Sequence, residues 1–127
     1  MTENEISGIV VDSAMKVHTA LGPGLLESAY EACLTHELTK RGLNVERQKL
    51  LPLRYDGVIV EAGYRLDMLV ENLVIIELKA VEGINDIHKA QILSYLKLSD
   101  MRLGLLLNFN VKRMVQGIHR FANNLPD

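Results

Sequence analysis

Apolar positions in this chain repeat first at a helical spacing, then at the spacing of a strand. Between residues 5 and 21, Ile6, Ile9, Val10, Val17 and Leu21 fall on a helical period, with Ser13 and Ala14 small enough to sit in or beside the stripe. Gly22-Pro23-Gly24 ends that helix, because glycine accepts positive φ and proline cannot continue it. A second helix is predicted from about Leu25 to Arg41, with Gly42 as its stop. Leu26, Ala29 and Cys33 make its buried side, with Leu34 and Leu38 adjoining. From Leu43 the period drops to two: Val45, Arg47, Lys49 and Leu51 alternate with Glu46, Gln48 and Leu50 until Pro52 interrupts. Tyr55-Asp56-Gly57 is a hairpin signal, and Val58–Val70 is the next strand, with Gly63 a bulge site. A turn at Glu71-Asn72 leads into Leu73–Val81.

Gly83-Ile84-Asn85-Asp86 then turns into a third helix reaching about Leu98, with Asp86 and Lys97 placed to suit its dipole. Met101–Asn108 is a core strand, residues 111–122 have room for a further edge strand, and Asn123–Asp127 reads as a tail. The strand–helix–strand crossover from Leu73–Val81 to Met101–Asn108 implies a parallel pair within a mixed sheet. The expected fold is one α/β domain over residues 1–127, in the order ααβββαβ.

Composition narrows the setting. With 48% hydrophobic and 24% charged residues the chain is neither disordered nor membrane-like, and no apolar run approaches the roughly 18–20 residues of a membrane helix. The acidic start, Met1-Thr2-Glu3-Asn4-Glu5, is unlike a signal peptide. A single cysteine, Cys33, excludes an internal disulfide and a cysteine cluster for zinc or iron–sulfur; a reducing cytoplasm is the expected location. Charge is uneven: residues 1–39 carry six acids against Lys16, whereas 85–126 carry six Lys/Arg against two acids. A basic second half can face phosphates, although on charge alone an ordinary solvated surface with a modest excess is the favoured reading.

Among the charges that interrupt the apolar strands Val58–Val70 and Leu73–Val81 are Asp67 on the first and Glu77 and Lys79 on the second. Residues i and i+2 share a strand face, so Glu77 and Lys79 project together from a strand built for burial. A buried charge costs several kcal/mol unless it is paired or binds metal. The site is therefore either a structural ion pair, with Lys79 bridging the carboxylates, or a place of chemistry. Register decides whether the carboxylates can meet. A two-residue turn at Glu71-Asn72 would set Asp67 opposite Ile76; a three-residue loop or a bulge sets it opposite Glu77, and such an irregularity is expected.

Asp67 followed by Glu77-x-Lys79 resembles the core of the PD-(D/E)xK nucleases, without the proline. Gly24-Leu25-Leu26-Glu27-Ser28-Ala29-Tyr30 fits Gly-x-x-Glu-x-x-Tyr, and the chain closely resembles the GxxExxY family grouped with those nucleases. Gln91-Ile92-Leu93-Ser94-Tyr95 resembles the Gln-x-x-x-Tyr of the RecB-like and lambda-exonuclease-like branches. The resemblance implies a restriction-endonuclease-like mixed sheet flanked by helices, in which Glu27, Asp67 and Glu77 hold Mg²⁺ or Mn²⁺. It also implies that Lys79 assists the attacking water, Gln91 and Tyr95 position water or phosphate, and Tyr30 packs beside or bonds to the site. A helix dipole alone accounts for a glutamate at 27, and Tyr95 is equally readable as core.

The expected function is metal-dependent hydrolysis of DNA, with RNA less favoured. Its rival is a non-catalytic nucleic-acid- or protein-binding module on the same fold, since a fold does not fix a function. Low aromatic content (5%) and the absence of tryptophan argue against a single-strand reader that stacks bases. So small a chain has little surface beyond its core, which makes a homodimer or a larger protein partner the expected assembly.

Overall fold

The computed structural model of the protein describes residues 1–126. Its first helix, α1 (Glu3–Leu21), begins in a capping box: the Thr2 hydroxyl accepts from the Glu5 amide, and the Glu5 carboxylate accepts from the Thr2 amide. Gly22, at φ 67°, terminates it. The chain then turns back into α2 (Glu27–Lys40), which runs antiparallel to α1; Arg41 pairs with Asp12 and Lys16 with Glu37 across the two. The buried face of α2 is Tyr30, Leu34 and Leu38, rotated from the expected Leu26, Ala29 and Cys33. Leu26 is left 76% exposed, because the ring of Tyr30 takes the interior position by stacking on Phe109 at 4.6 Å.

Five strands follow: β1 (Val45–Tyr55), β2 (Val58–Val70), β3 (Val74–Lys79), β4 (Leu103–Asn108) and β5 (Ile118–Ala122). A single helix, α3 (Asp86–Ser99), crosses between β3 and β4. They form one sheet in sequential order, antiparallel throughout except for the parallel β3–β4 pair that the crossover requires. Only the last part of 111–122 is strand; Met114–Gly117 winds into a 3₁₀ turn that brings β5 alongside β4. The architecture is that of the restriction-endonuclease-like fold.

Alternation on β3 and β4 divides the core. Val74, Ile76 and Leu78 with Leu103, Leu105 and Leu107 lie under α1 and α2. Ile75 lies on the opposite face with Leu96 of α3. Gly104 sits beneath α3, where an added Cβ would come within 2.9 Å of Ile92; its lack of a side chain lets the helix approach the sheet closely. Asn85 opens α3 with a second capping box, its side chain accepting from the His88 amide while His88 accepts in return, so that histidine is spent on the cap. His18 is likewise a packed residue, its Nε2 2.7 Å from the Val111 carbonyl.

The β1–β2 pair runs on past the layers as a ribbon. Leu50, Tyr55, Val58 and Ile59 on it are all more than half exposed. Gly63 lies at its expected bulge site: the register shifts between Leu51 and Leu53, and the Gly63 backbone lies so close to Leu53 that a Cβ could not fit. β1 is the outermost strand on that side, with Pro52 in its length.

Candidate active site

The loop between β2 and β3 fixes the level of the two strand carboxylates. Val70 pairs with Val74, leaving Glu71, Asn72 and Leu73 as a three-residue loop with positive φ at its first two positions. The Leu73 amide closes it onto the Val70 carbonyl at 3.0 Å. This is the irregularity that the spacing of Asp67 and Glu77 demanded. Counting on from Met68–Ile76, the last regular pair, Asp67 lies level with Glu77.

At that level the ordinary ladder stops and side chains replace it. The Asp67 amide donates to Glu77 Oε2 at 2.9 Å, and the Leu78 amide donates to Asp67 Oδ2 at 2.8 Å. Each carboxylate thus takes a main-chain donor that a neighbouring strand would have satisfied. These bonds hold the two acids side by side, in a strand of which Glu77 is only 2% exposed. Burial, and then the Asp67 carboxylate, push the Glu77 acid up to about 8.

Glu27 is the exposed first residue of α2, near enough to Asp67 and Lys79 to feel both charges. Partial burial and then the Asp67 charge raise its acid, while Lys79 acts in the opposite sense. The helix start that presents it is locked by Tyr30. That phenol donates to the Gly22 carbonyl at 2.6 Å and accepts from the Leu25 amide at 3.1 Å. Tyr30 is therefore fully buried and does not line the site; it fixes the turn that leads to Glu27. The Gly-x-x-Glu-x-x-Tyr spacing acquires a physical meaning here. Gly24, at φ 100°, makes the bend, and the tyrosine one helical turn after the glutamate holds it shut.

Lys79 closes β3, and its Nζ lies 3.4 Å from Gln91 Oε1 on α3. Gln91 Nε2 donates to the Tyr95 hydroxyl at 3.1 Å, and the Tyr95 ring stacks on Tyr64 at 5.0 Å. The Gln-x-x-x-Tyr pair is thus brought to the lysine, as its spacing on one helix face allows. Behind Lys79 the backbone is clamped: its carbonyl accepts from the Phe109 amide, and the buried Asn108 side chain bonds both the amide and the carbonyl of Val81. Sequence reasoning missed Asn108. It also missed Glu31, Arg47 and Gln48, which meet beside Glu27. Glu31, one turn along α2 from Glu27, was the available signal.

Glu27, Asp67 and Glu77 are hard oxygen donors; burial first, and the Asp67 charge second, raise the acids of Glu27 and Glu77, with Lys79 acting in the opposite sense on both. That donor chemistry fits a divalent cation. Among the described residues, however, no three acidic, histidine or cysteine side chains converge on one point able to hold a metal ion.

Comparison with known proteins agrees with the fold. No curated protein matches the chain. The crystal structure of SSO0001 is similar over 95% of this chain and 78% of its own, at a TM-score of 0.51 and 18% identity, a likeness of fold. Residues 4–121 match the family model of the PD-(D/E)XK nuclease superfamily, whose members generally use divalent metals. With the Asp67 and Glu77-x-Lys79 core set on the mixed sheet that this fold requires, the chain belongs to the PD-(D/E)XK nuclease superfamily.

Proposed function

We propose that this chain is a metal-dependent nuclease of the GxxExxY type, hydrolysing DNA phosphodiester bonds in preference to RNA. One observation carries the reading: a buried Glu77 and a half-buried Asp67 are bonded side by side where β2 and β3 part, with Lys79 two residues on. Glu27, Asp67 and Glu77 would hold Mg²⁺ or Mn²⁺. Bound there, the ion supplies Lewis-acid stabilisation of phosphate charge and an acidified water.

The remaining work falls to the chain. The Lys79 ammonium orients the incoming water and offsets charge developing on the phosphate oxygens. Gln91 holds Lys79 from the α3 side, and Tyr95 fixes the amide of Gln91. The basic excess of residues 85–126 would add a general, sequence-independent attraction for nucleic-acid phosphate.

Thermal unfolding with and without Mn²⁺, on wild type and an Asp67→Ala/Glu77→Ala double variant, tests the site. A rise confined to wild type, together with cleavage of single- or double-stranded DNA, is the expected result. A second reading, a non-catalytic binding module on the same fold, draws on the two carboxylates being occupied by main-chain amides. It takes precedence if Mn²⁺ leaves the wild type unchanged and no DNA is cut. Light scattering with and without DNA tests the expected homodimer or larger assembly, which a monomer throughout would remove.

A further inference from the structure

β1 contains a conformation that its sequence does not advertise. Gln48 has φ +50°, the left-handed region, in the middle of an eleven-residue strand. Non-glycine residues rarely adopt it, and they persist there only where the surroundings enforce it. Register locates the kink. Arg47 pairs with Met68 and Lys49 with Leu66, so Gln48 stands opposite Asp67, and that pair is the one missing from an otherwise continuous run.

Both strands change face at this level. Val45 packs with the core beneath α1 and α2, whereas Leu51, six residues on and of the same parity, packs with the cluster beneath α3. On β2, Met68 and Val70 belong to the first cluster, and Tyr64 and Leu66 to the second. Unbroken alternation would put all four on one side. The sheet therefore flips at the Gln48–Asp67 level, and Asp67, freed from its β1 partner, trades contacts with Glu77 and Leu78 on the other side.

The kink is held from α2. Glu31 is 7% exposed; its Oε1 accepts from Gln48 Nε2 at 2.5 Å, and its Oε2 accepts from Arg47 Nε at 3.0 Å and Nη2 at 2.9 Å. Glu31 lies one turn after Glu27, and a cleft of about 390 Å³ bounded by Glu27, Glu31 and Gln48 opens between them. One buried acid thereby ties the helix that presents Glu27 to the strand residue that faces Asp67.

We propose that Glu31, Arg47 and Gln48 form a positioning clamp, in which the left-handed turn at Gln48 releases Asp67 from β1 and Glu31 sets Glu27 at the same level. Its catalytic consequence rests on the nuclease reading, but its structural content does not. The test is therefore amide hydrogen exchange at Asp67 and Leu78, followed by NMR on the metal-free chain, beside steady-state cleavage. Gln48→Val opposes left-handed backbone and should restore the missing β1–β2 pair, whereas Gln48→Gly accepts it freely. The valine variant should speed exchange at both amides by tenfold or more and cut kcat about tenfold with KM unchanged. The glycine variant should keep wild-type exchange and stay within about threefold in kcat.

Wild-type exchange in Gln48→Val, or equal loss of protection in both variants, would overturn the clamp. If the valine variant does not fold, Glu31→Gln weakens the clamp from the helix side, and unchanged exchange there overturns it equally. Should the wild type cut no DNA, the nuclease reading fails while the exchange result still decides the clamp.

Discussion

The two halves of β3 have the same neighbours and different chemistry. Val74, Ile75 and Ile76 pair with β2 on one side and β4 on the other, and all three are fully buried. Glu77, Leu78 and Lys79 continue the parallel pairing with β4, but towards β2 the ladder gives way to carboxylates bonded to main-chain amides. The first half is what a hydrophobic strand does when nothing else is asked of it. The second shows how acids enter such a strand without orphaning its backbone: each takes over a donor that the parting of the strands would have left unpaired. Stability resides in the apolar half, and the candidate chemistry begins where backbone pairing ends.

Disrupting the polar half should have the largest effect. Asp67→Ala removes an acceptor from Leu78 and a member of the carboxylate set; we expect cleavage to fall by about 10³-fold, measured under single-turnover conditions. Next is a pH effect on the metal-free protein. Since the Glu77 acid is raised from 4.5 to about 8, the fold holds its proton more tightly than the unfolded chain does. That contribution is fully present below pH 4.5 and is lost as pH climbs to about 8, a change on the order of a few kcal/mol. Denaturant titrations should show stability declining across this window and a flatter profile for Glu77→Gln; a flat wild-type profile would contradict the burial argument.

Smaller changes sharpen the comparison. Lys79→Ala should lower cleavage about 10²-fold while leaving the Mn²⁺-induced rise in Tm in place, because the lysine is assigned to water and phosphate rather than to metal. Loss of the Tm rise would reassign it. Tyr30→Phe deletes a hydroxyl that serves two backbone groups and should cost about 1–2 kcal/mol by equilibrium unfolding, with a weaker loss of activity as Glu27 loosens.

Much of this was readable from residue order. The period change at Leu43, the Asp-Gly hairpin and the Asn85 cap gave the elements in sequence. The separation of Asp67 from Glu77 called for a three-residue loop or a bulge if the two were to lie level, and the fold uses the loop. Less legible was whatever depends on partners distant in sequence. The face of α2 turned on whether Tyr30 or Leu26 went inside, which was decided by Phe109, a residue 79 positions from Tyr30. The kink at Gln48 had no local signal, because glutamine lacks the preference for left-handed backbone that marks glycine or asparagine. Its cause lies in Glu31, whose burial depends on Arg47 and Gln48 themselves.

The ribbon's outer edge has a consequence for life at high concentration. β1 ends the sheet, so its unpaired main-chain groups offer a template on which another copy could add strand by strand. Pro52 removes one donor from that row, and the shifted register beside it bends the edge out of line. With apolar Tyr55, Val58 and Ile59 already open to water nearby, this one imino acid guards against self-templated aggregation. Replacing it with threonine should convert a quiet edge into a sticky one, and the protein's solubility limit would fall before its melting temperature did.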